Sequence, residues 1–458
     1  MMRSLFSGVT GLKTHQTKMD VIGNNIANVN TVGFKSSNVT FSELMYQTTQ
    51  NASAANAATG RAGVNAKQIG LGVTNGAINT NITTSGASQT TGNPFDIQIT
   101  GDSFFIVSDG ANNYFTRAGA FYVDGVGNLA MTSNGFTVMG WVEDPTNPGF
   151  IKKDTVQALK ITSPENMQSE PEATTRAYMT GIIDKNTKAL ATTGQVTNLT
   201  FYDSLGYSYV GKFNIQRDGA LTDSDGIYKL TLQQVQYEDA TGATKLITPP
   251  PNIDSGDTSN TIYIKYNTST GAYMGWSDTD TGTFSMNDFN IQFDTTTYPA
   301  FKNIAMDLST TTMFDNNGTS TVASKAGNAD GQYAGRKVGT MSGVSIQTDG
   351  KIYAAYDNGT SKLLGQIAVA SFPNPSGLEK IGENLYATTQ NSGLFDGIGI
   401  DVTSDGIGKM QTGVLEMSNV DLSAEFTEMI TTQRGFQANS RIITVSDSLL
   451  EELTNLKR

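Results

Sequence analysis

The side chains that most often carry covalent or metal chemistry are nearly missing from this sequence. It has one histidine, His15, and no cysteine in 458 residues. Disulfides, thiolate metal sites and Cys–His nucleophile pairs all need cysteine, and a Ser-His-Asp triad could use only His15. No carboxylate or metal-binding partner stands out near His15, so we expect it at a helix interface or in solvent. The sequence therefore predicts neither an enzyme nor a cofactor or metal site.

Glycine clusters and Asp-Gly turns are the remaining candidates for ligand chemistry. The clusters at 70–76 and 397–409 do not lie between a strand and a helix start, as a dinucleotide-binding loop would. The turns at 223–226 and 278–282 lack the Glu six residues after the glycine that an EF-hand requires. We interpret both turns as hairpin connections.

Charge and hydropathy exclude two further classes. The net charge is −12 and the pI is about 4.6, so the surface repels phosphate and no nucleic-acid partner is expected. No apolar run approaches the ~20 residues of a membrane helix, so no membrane insertion is expected. The N-terminal residues lack the continuous apolar core of a cleavable signal peptide, so export would need another route.

The composition favours strands and turns. Charged residues make up only 16% of the chain, whereas Gly alone contributes 48 residues. Alternating apolar segments separated by Asp-Gly and Asn-Gly turns predict hairpins through the middle of the chain. The predicted strands lie within 95–100, 103–109, 113–119, 121–131, 135–141, 198–216, 227–239, 260–267, 289–294, 342–359 and 363–372. The fold class is therefore α+β, mainly β.

Both ends of the chain instead have helical periodicity. In the N-terminal segment the apolar residues recur every seven positions, in two series: Leu5, Leu12, Met19 and Ile26, and Ile22 and Val29. From about 421 to 457 the stripe comprises Leu422, Phe426, Met429, Ile430, Phe436, Ile443, Leu450 and Leu453. Heptad spacing predicts a coiled coil, with the two helices pairing with each other and with neighbouring molecules. The alternative is that each helix packs on a globular core.

Changes in composition divide the chain into four predicted parts. Residues 1–32 with 418–458 form the terminal helical domain, and 33–70, small and polar over 48–66, form a linker or extended arm. We expect an inner β domain from 71–145 with 306–417, and an outer β domain inserted at 146–305.

An asparagine-rich stretch, NNIANVNTVGFK at residues 24–35, closes the first helix. Asn24, Asn25 and Asn28 are poor helix formers, but a buried amide at a seam fixes register because a misaligned amide is left unsatisfied. The alternative is that they only cap the helix end. We expect Gly33 to end the helix in a conformation open to glycine, and Phe34 to anchor the linker on a neighbouring molecule.

This stretch resembles the N-terminal signature of the bacterial flagellar axial proteins, the rod and hook family. Residues 418–458 resemble the C-terminal signature of the same family. Rod members resemble a much shorter chain without the middle insert. In contrast, YDSLG at Tyr202–Gly206 and the segment 93–129 resemble the hook members. The resemblance is weakest over 240–335.

The resemblance implies a structural subunit. The terminal helices would line a curved hollow tube that joins rod to filament and transmits torque while bending, with the β domains stacked outside. The implied partners are copies of the chain itself, the rod, hook cap and hook–filament junction proteins, and the flagellar type III export apparatus. The implied location is extracellular, in the flagellum, after export without cleavage. The alternatives are a distal rod subunit and a secreted β-rich adhesive or binding protein.

Overall fold

The chain separates into two compact units. The computed structural model describes residues 2–54, 60–147, 149–217, 226–238, 241–248, 251–253, 260–294, 296–404 and 407–455. Unit 1 comprises residues 1–166, 343–355 and 361–458. Unit 2 comprises residues 167–342 and 356–360.

Strands outnumber helices throughout the described residues. The helices are α1 (Met2–Ala27), α2 (Lys188–Ala191) and α3 (Leu422–Asn455), with a 3-10 turn at Pro375–Gly377. The strands before residue 167 are β1 (Ser37–Glu43), β2 (Tyr46–Gln50), β3 (Lys67–Gly70), β4 (Val73–Thr80), β5 (Ser88–Thr90), β6 (Ile97–Ile99), β7 (Phe104–Ser108), β8 (Asn113–Thr116), β9 (Phe121–Val123), β10 (Leu129–Met131), β11 (Thr137–Val142) and β12 (Gln157–Ala158). The next strands are β13 (Gln168–Ser169), β14 (Arg176–Ile183), β15 (Gln195–Tyr202), β16 (Ser208–Gln216), β17 (Ile227–Glu238), β18 (Thr244–Leu246), β19 (Asn252–Ile253), β20 (Thr261–Tyr266), β21 (Tyr273–Ser277), β22 (Phe289–Gln292), β23 (Ile304–Asp307), β24 (Thr311–Met313), β25 (Ala323–Ala326) and β26 (Gly339–Ile346). The last are β27 (Lys351–Tyr356), β28 (Ser361–Ile367), β29 (Val369–Ala370), β30 (Glu379–Gly382), β31 (Leu385–Ala387), β32 (Met410–Thr412) and β33 (Val414–Glu416).

Unit 2 is built from two sheets that share one core. The first sheet has the order β19-β22-β23-β14-β24, and β25 also pairs with β14; the second has the order β15-β16-β17-β20-β21, and β18 also pairs with β17. Buried side chains from both sheets, such as Met179, Phe213, Leu230 and Ile291, belong to one cluster. The alternating burial along β20 is the pattern of a strand with one face on such a core.

The boundaries of unit 2 differ from those of the predicted insert 146–305. Strands β23, β24 and β25 all pair with β14, so the segment 304–326 groups with unit 2. Residues 146–166 group with unit 1, where β12 pairs with β11. Strand pairing between distant segments decides these boundaries, and the composition of each segment does not reveal it.

The β body of unit 1, defined as strands β5–β12 and β27–β33, joins early and late parts of the chain. Its main sheet contains the order β28-β11-β7-β8-β31-β30. Phe104, Ile106, Phe115 and Trp141 are buried at its centre. The Trp141 indole N–H donates to the carbonyls of Asp154 and Ile398, both at 2.9 Å, which satisfies the polar atom of a buried ring.

The segment predicted as a linker at 33–70 contains paired strands. β1 pairs with β4, and β2 pairs with β3, so residues 37–80 form a long hairpin around residues 55–59, which lie outside the described residues. Every residue of β2 and β3 is exposed. The small polar residues therefore mark a hairpin without a core of its own.

The predicted fold class is confirmed. The chain is mainly β, and its two long helices lie at the ends and pair with each other. The C-terminal helix was expected from about 421 to 457; it covers Leu422–Asn455, and residues 456–458 lie outside the described part. No helix among the described residues is long and apolar enough to cross a membrane.

Candidate assembly interface

The terminal helices α1 and α3 run antiparallel. Gly8 lies against Ile443, Gly11 against Asn439 and His15 against Gly435. Near the other end, the Lys18 ammonium is 3.0 Å from Glu428, and Asn25 donates to the Glu425 carboxylate at 2.9 Å. The residue numbers of the α3 partners decrease as those of α1 increase, so the two helices keep one register along the whole pair.

Small residues make this contact. The buried residues of α1 are Gly8, Gly11, Thr14, Ile22 and Asn25, and those of α3 are Thr432 and Ser446. A β-carbon on Gly435 would lie 2.7 Å from Cε1 of His15, closer than carbon atoms can approach. The absence of side chains therefore allows the helices to pack closely.

The seam residues predicted for α1 are only partly covered by their own chain. Ile22 is 2% exposed, whereas Leu5, Leu12, Met19, Ile26 and Val29 are half-buried. On α3, Met429, Phe436, Ile443 and Leu450 are half-buried, and Leu422, Phe426, Ile430 and Leu453 are exposed. The predicted pairing of the two helices is observed, but glycine, serine and threonine occupy much of their contact, and Ile22 is the predicted seam residue that is fully buried.

Large apolar side chains instead face outward. The α1 outer stripe, Met2, Phe6 and Val9, has exposed fractions of 53 to 65%. The α3 outer stripes are Leu422, Phe426 and Ile430 near its start, and Ile442, Val445, Leu449 and Leu453 near its end. Residues three and four apart share a helix face, so each stripe is continuous. Both helices thus carry apolar surface that unit 1 does not bury.

His15 lies where the two helices meet the hairpin. Its ring makes an edge-on contact with Phe41, with centroids 5.6 Å apart, and its Nδ1 is buried without a hydrogen-bond partner. Burial and the nearby Lys18 ammonium lower the pKa of His15, which favours the neutral imidazole. His15 therefore has a packing environment, and within the described residues no His, Cys, Asp or Glu cluster could hold a metal ion.

The asparagines of the signature stretch have different roles. Asn25 is buried, and its amide donates to the Ser37 carbonyl at 2.8 Å and accepts from the Ser37 N–H at 3.0 Å, in addition to its bond to Glu425. Asn28 instead donates to the Asn24 carbonyl at 2.9 Å, a local bond at the helix end. Among Asn24, Asn25 and Asn28, it is Asn25 whose side chain links α1 to α3 and to the hairpin.

Gly33 and Phe34 are buried below the helix pair. Gly33 has φ of +69°, and a β-carbon there would lie 2.7 Å from the Ala118 nitrogen, so the position requires glycine. The expectation that Gly33 ends the helix is wrong, because α1 already ends at Ala27. Phe34 is 8% exposed, and its ring lies under the Lys380 ammonium at 5.1 Å. The expectation that Phe34 anchors on a neighbouring molecule is wrong, because its own chain covers the ring.

A buried ion cluster lies beside this glycine. Lys35 Nζ is 2.8 Å from Glu416 Oε1, and Arg117 Nη1 is 3.9 Å from Glu416 Oε2. Lys35 also donates to the Thr84 carbonyl at 2.7 Å, and Arg117 donates to the Gly101 carbonyl. Burial lowers the pKa of Lys35, which the Glu416 carboxylate opposes, and burial likewise lowers the pKa of Arg117.

Sequence reasoning missed this cluster and a second carboxylate in unit 2. Asp203, in the YDSLG motif, is buried and accepts from the N–H groups of Leu205 and Tyr207 at 3.0 and 2.9 Å and from the Tyr209 hydroxyl at 3.2 Å. Gly206 has φ of +86°. The Asp-x-x-Gly turn was the available signal for Asp203, whereas nothing in the spacing of Lys35, Arg117 and Glu416 marks them as neighbours.

Comparisons with known proteins match both ends of the chain and one segment of its middle. Family models match at residues 5–35 (flagella basal body rod protein), 98–171 (flagellar hook protein FlgE/F/G D1 domain) and 411–456 (flagellar basal body rod FlgEFG protein C-terminal). The flagellar hook protein FlgE of Treponema pallidum is 34% identical over 492 residues, and that of Borreliella burgdorferi is 35% identical over 475 residues. The flagellar basal-body rod protein FlgG of Bacillus subtilis is 31% identical over 458 residues. Each alignment covers 100% of both chains.

The terminal helix pair and the matched segments around it define a subunit of the axial structure of the bacterial flagellum. The chain belongs to the flagellar hook protein family. The predicted function, a structural subunit of the flagellar hook, is confirmed at this level. The expectation that rod members are much shorter than this chain is wrong. A protein named as a basal-body rod protein aligns with the whole of this chain, so chain length does not distinguish rod members from hook members.

Proposed function

We propose that copies of this chain polymerise into a curved hollow tube that joins the flagellar rod to the filament and transmits motor torque as a flexible joint. The apolar surface on the terminal helix pair carries the proposal. The outer stripes of α1 and α3 expose Phe6, Val9, Phe426, Val445 and Leu453, among others. Contiguous exposed apolar surface of this kind marks a contact with another protein.

The placement of the stripes fits a tube wall, where each subunit has several neighbours. Within one chain, α1 contacts α3 through Gly8 and Gly11, and the α1 outer stripe stays exposed. Another molecule must therefore cover this stripe. A contact between two different surfaces of identical subunits repeats into a helical polymer when it does not close into a ring. Neighbouring helices would also complete the half-buried seam at Leu5, Leu12 and Leu450.

The proposed assembly surface therefore comprises the outer stripes together with the predicted seam residues that are not buried. Ile22, Asn25, Gly33 and Phe34 act inside the subunit. The helix pair, 1–32 with 418–458, would line the tube. The hairpin arm and the inner β domain would surround it, and the predicted inserted domain, 146–305, would lie furthest out. This order is supported by the family resemblance.

We infer the remaining properties from the same role. The partners would be other copies of the chain, the rod, hook cap and hook–filament junction proteins, and the flagellar type III export apparatus that delivers the subunit without cleavage. The location would be extracellular, in the hook. No catalytic reaction is proposed, because the assembly role uses none of the chain's titratable groups as a reagent.

Seeded polymerisation of the purified chain tests the proposal. Short fragments of existing polymer are added to monomer, and the products are imaged by electron microscopy. Curved tubes would support the hook function. An ordered monomer that never polymerises, with seeds shown to be active on a known hook subunit, would contradict it and favour a secreted binding or adhesive protein.

A rod subunit is the second candidate function, favoured by the full-length match to a rod-named protein. Rod and hook subunits share the terminal helices, so the interface alone does not distinguish them. The same experiment does, because a rod subunit would give straight tubes. Straight tubes at every pH and salt concentration tested would replace the hook proposal with this one.

A further inference from the structure

Two short connectors attach the terminal helices to the rest of unit 1. The N-connector, residues 28–36, leads from α1 to β1, and the C-connector, residues 417–421, leads from β33 to α3. Lys35 lies in the N-connector, Glu416 immediately precedes the C-connector, and Arg117 follows strand β8 of the β body. The buried ion cluster thus joins both connectors to the β body at one point.

The backbone around the cluster holds the connectors side by side. The Gly33 N–H donates to the Glu416 carbonyl at 2.8 Å, and the Ser36 N–H donates to the Asn419 side-chain oxygen at 2.8 Å. The Glu416 carboxylate also accepts from the Gly86 N–H at 3.0 Å. Glu416 therefore bonds to the N-connector through its main chain and its side chain.

The Glu416 carboxylate is the central group of the ion cluster. Two cations, Lys35 and Arg117, share one anion, and the exposed fractions of the three side chains are 0%, 0% and 1%. Asp102, which also attracts both cations, is exposed. Removing the negative charge of Glu416 would leave two buried cations without a buried counter-charge.

Stability alone does not account for three buried charges here. Apolar residues of similar volume often match or exceed a buried ion cluster in stability, but they lack directional bonds. Glu416 Oε1 receives two donors from different segments, Lys35 and Gly86, at 2.8 and 3.0 Å. Such bonds fix the positions of the segments that supply them.

We propose that Glu416 is a positioning residue for the terminal helix pair. Its carboxylate, between Lys35 and Arg117, fixes the point and direction at which α1 and α3 leave the β body. The inference deepens the proposed hook function and rests on it for the consequence in the polymer, where every subunit must present its helices in the same orientation.

The test uses the full-length chain and hydrogen exchange of the monomer. Glu416→Gln is compared with the apolar triple variant Lys35→Met, Arg117→Met, Glu416→Leu. We expect Glu416→Gln to lower the melting temperature and to raise amide exchange in both connectors by about tenfold or more. The triple variant should restore the melting temperature and the protection of β7, while connector exchange stays about tenfold above the parent value.

Two further variants complete the design. Lys153→Met removes a lysine whose side chain is 53% exposed from an ion pair of similar length, 2.9 Å to Asp401, and should leave connector exchange unchanged. Glu416→Asp keeps the charge but is one methylene shorter, so it cannot keep both donors within reach. It should fold and still raise connector exchange, which keeps the test decisive if the triple variant does not fold.

Parent-like exchange in the connectors of Glu416→Asp, or of a folded triple variant, would overturn the proposal. Polymerisation of the folded variants is then scored by electron microscopy, with absent or irregular tubes expected. If the parent chain itself fails to polymerise, the hook function fails, whereas the exchange experiment on the monomer still decides the role of Glu416.

Discussion

Substituting Gly435 by alanine should not stabilise the helix pair, although alanine is the better helix former. In an exposed helix interior, Gly→Ala stabilises by about 1 kcal/mol. At Gly435 the new methyl would lie 2.7 and 2.8 Å from Cε1 and Nε2 of His15, whose ring is confined by Phe41. Overpacking of this kind costs about 1–3 kcal/mol. We therefore expect Gly435→Ala to be neutral or destabilising by up to about 2 kcal/mol.

Gly23 supplies a matched control in the other helix. It is exposed, and a β-carbon there would have no heavy atom within 4 Å, so Gly23→Ala should realise the full gain in helix propensity. The two variants should differ by about 1–3 kcal/mol, which corresponds to about 5- to 150-fold in amide exchange from α1 and α3. Gly11→Ala should lie between them, because the atoms it meets belong to the flexible side chain of Asn439.

Hydrogen exchange of the monomer measures this difference directly, and the loss of helical circular dichroism on heating provides a second measurement. If Gly435→Ala protects the helices as strongly as Gly23→Ala does, then α1 and α3 do not pack in this register. The small-residue account of their contact would then have to be abandoned.

Three further predictions concern pH, unit 2 and assembly. The pKa of His15 is lowered from 6.5 in the folded chain, so the unfolded chain takes up a proton first as pH falls. The free energy of unfolding should therefore decrease as pH falls from about 6.5 through the lowered folded value. Thermal melts from pH 8 to pH 5 should show this loss, and His15→Gln should remove it. Asp203→Ala deletes three hydrogen bonds to a buried carboxylate and should lower the free energy of unfolding, measured by urea titration, by about 2–3 kcal/mol. Asp278→Ala, at an exposed residue, should change this free energy little. Val445→Asp, at a side chain that is 58% exposed, should abolish seeded polymerisation without shifting the melting temperature of the monomer. The control Glu451→Gln, also at an exposed residue, should change neither polymerisation nor the melting temperature. If the Val445→Asp variant still polymerises, this stripe is not part of the interface.

Much of the fold could be predicted because its signals are periodic and local. Heptad spacing at both ends predicted the helices observed at Met2–Ala27 and Leu422–Asn455. A continuous apolar run predicted a strand within 103–109, and β7 covers Phe104–Ser108, all of whose residues are buried. Both signals lie within one segment of the chain, so they need no information about distant residues.

The parts that could not be predicted depend on residues far apart in sequence. Lys35, Arg117 and Glu416 form one cluster only because strand pairing brings three segments together, and a single charged residue in each segment gives no local pattern. The composition of 33–70 predicts a linker for a related reason, although most of this segment belongs to the hairpin at 37–80. Its strands pair with each other but bury little, so they lack the alternating apolar residues that mark a strand on a core.

The small residues between α1 and α3 explain how one helix pair can serve two kinds of contact. If Leu5, Leu12 and Leu450 were fully buried between α1 and α3, these side chains would have no surface left for a contact with another subunit. Glycine and other small residues instead form much of the contact between α1 and α3, and Asn25 fixes its register through the Ser37 backbone and Glu425. The large apolar residues are then free to contact other subunits. A subunit that must fold alone and then assemble needs this separation, because the same side chain cannot be fully buried in both contacts.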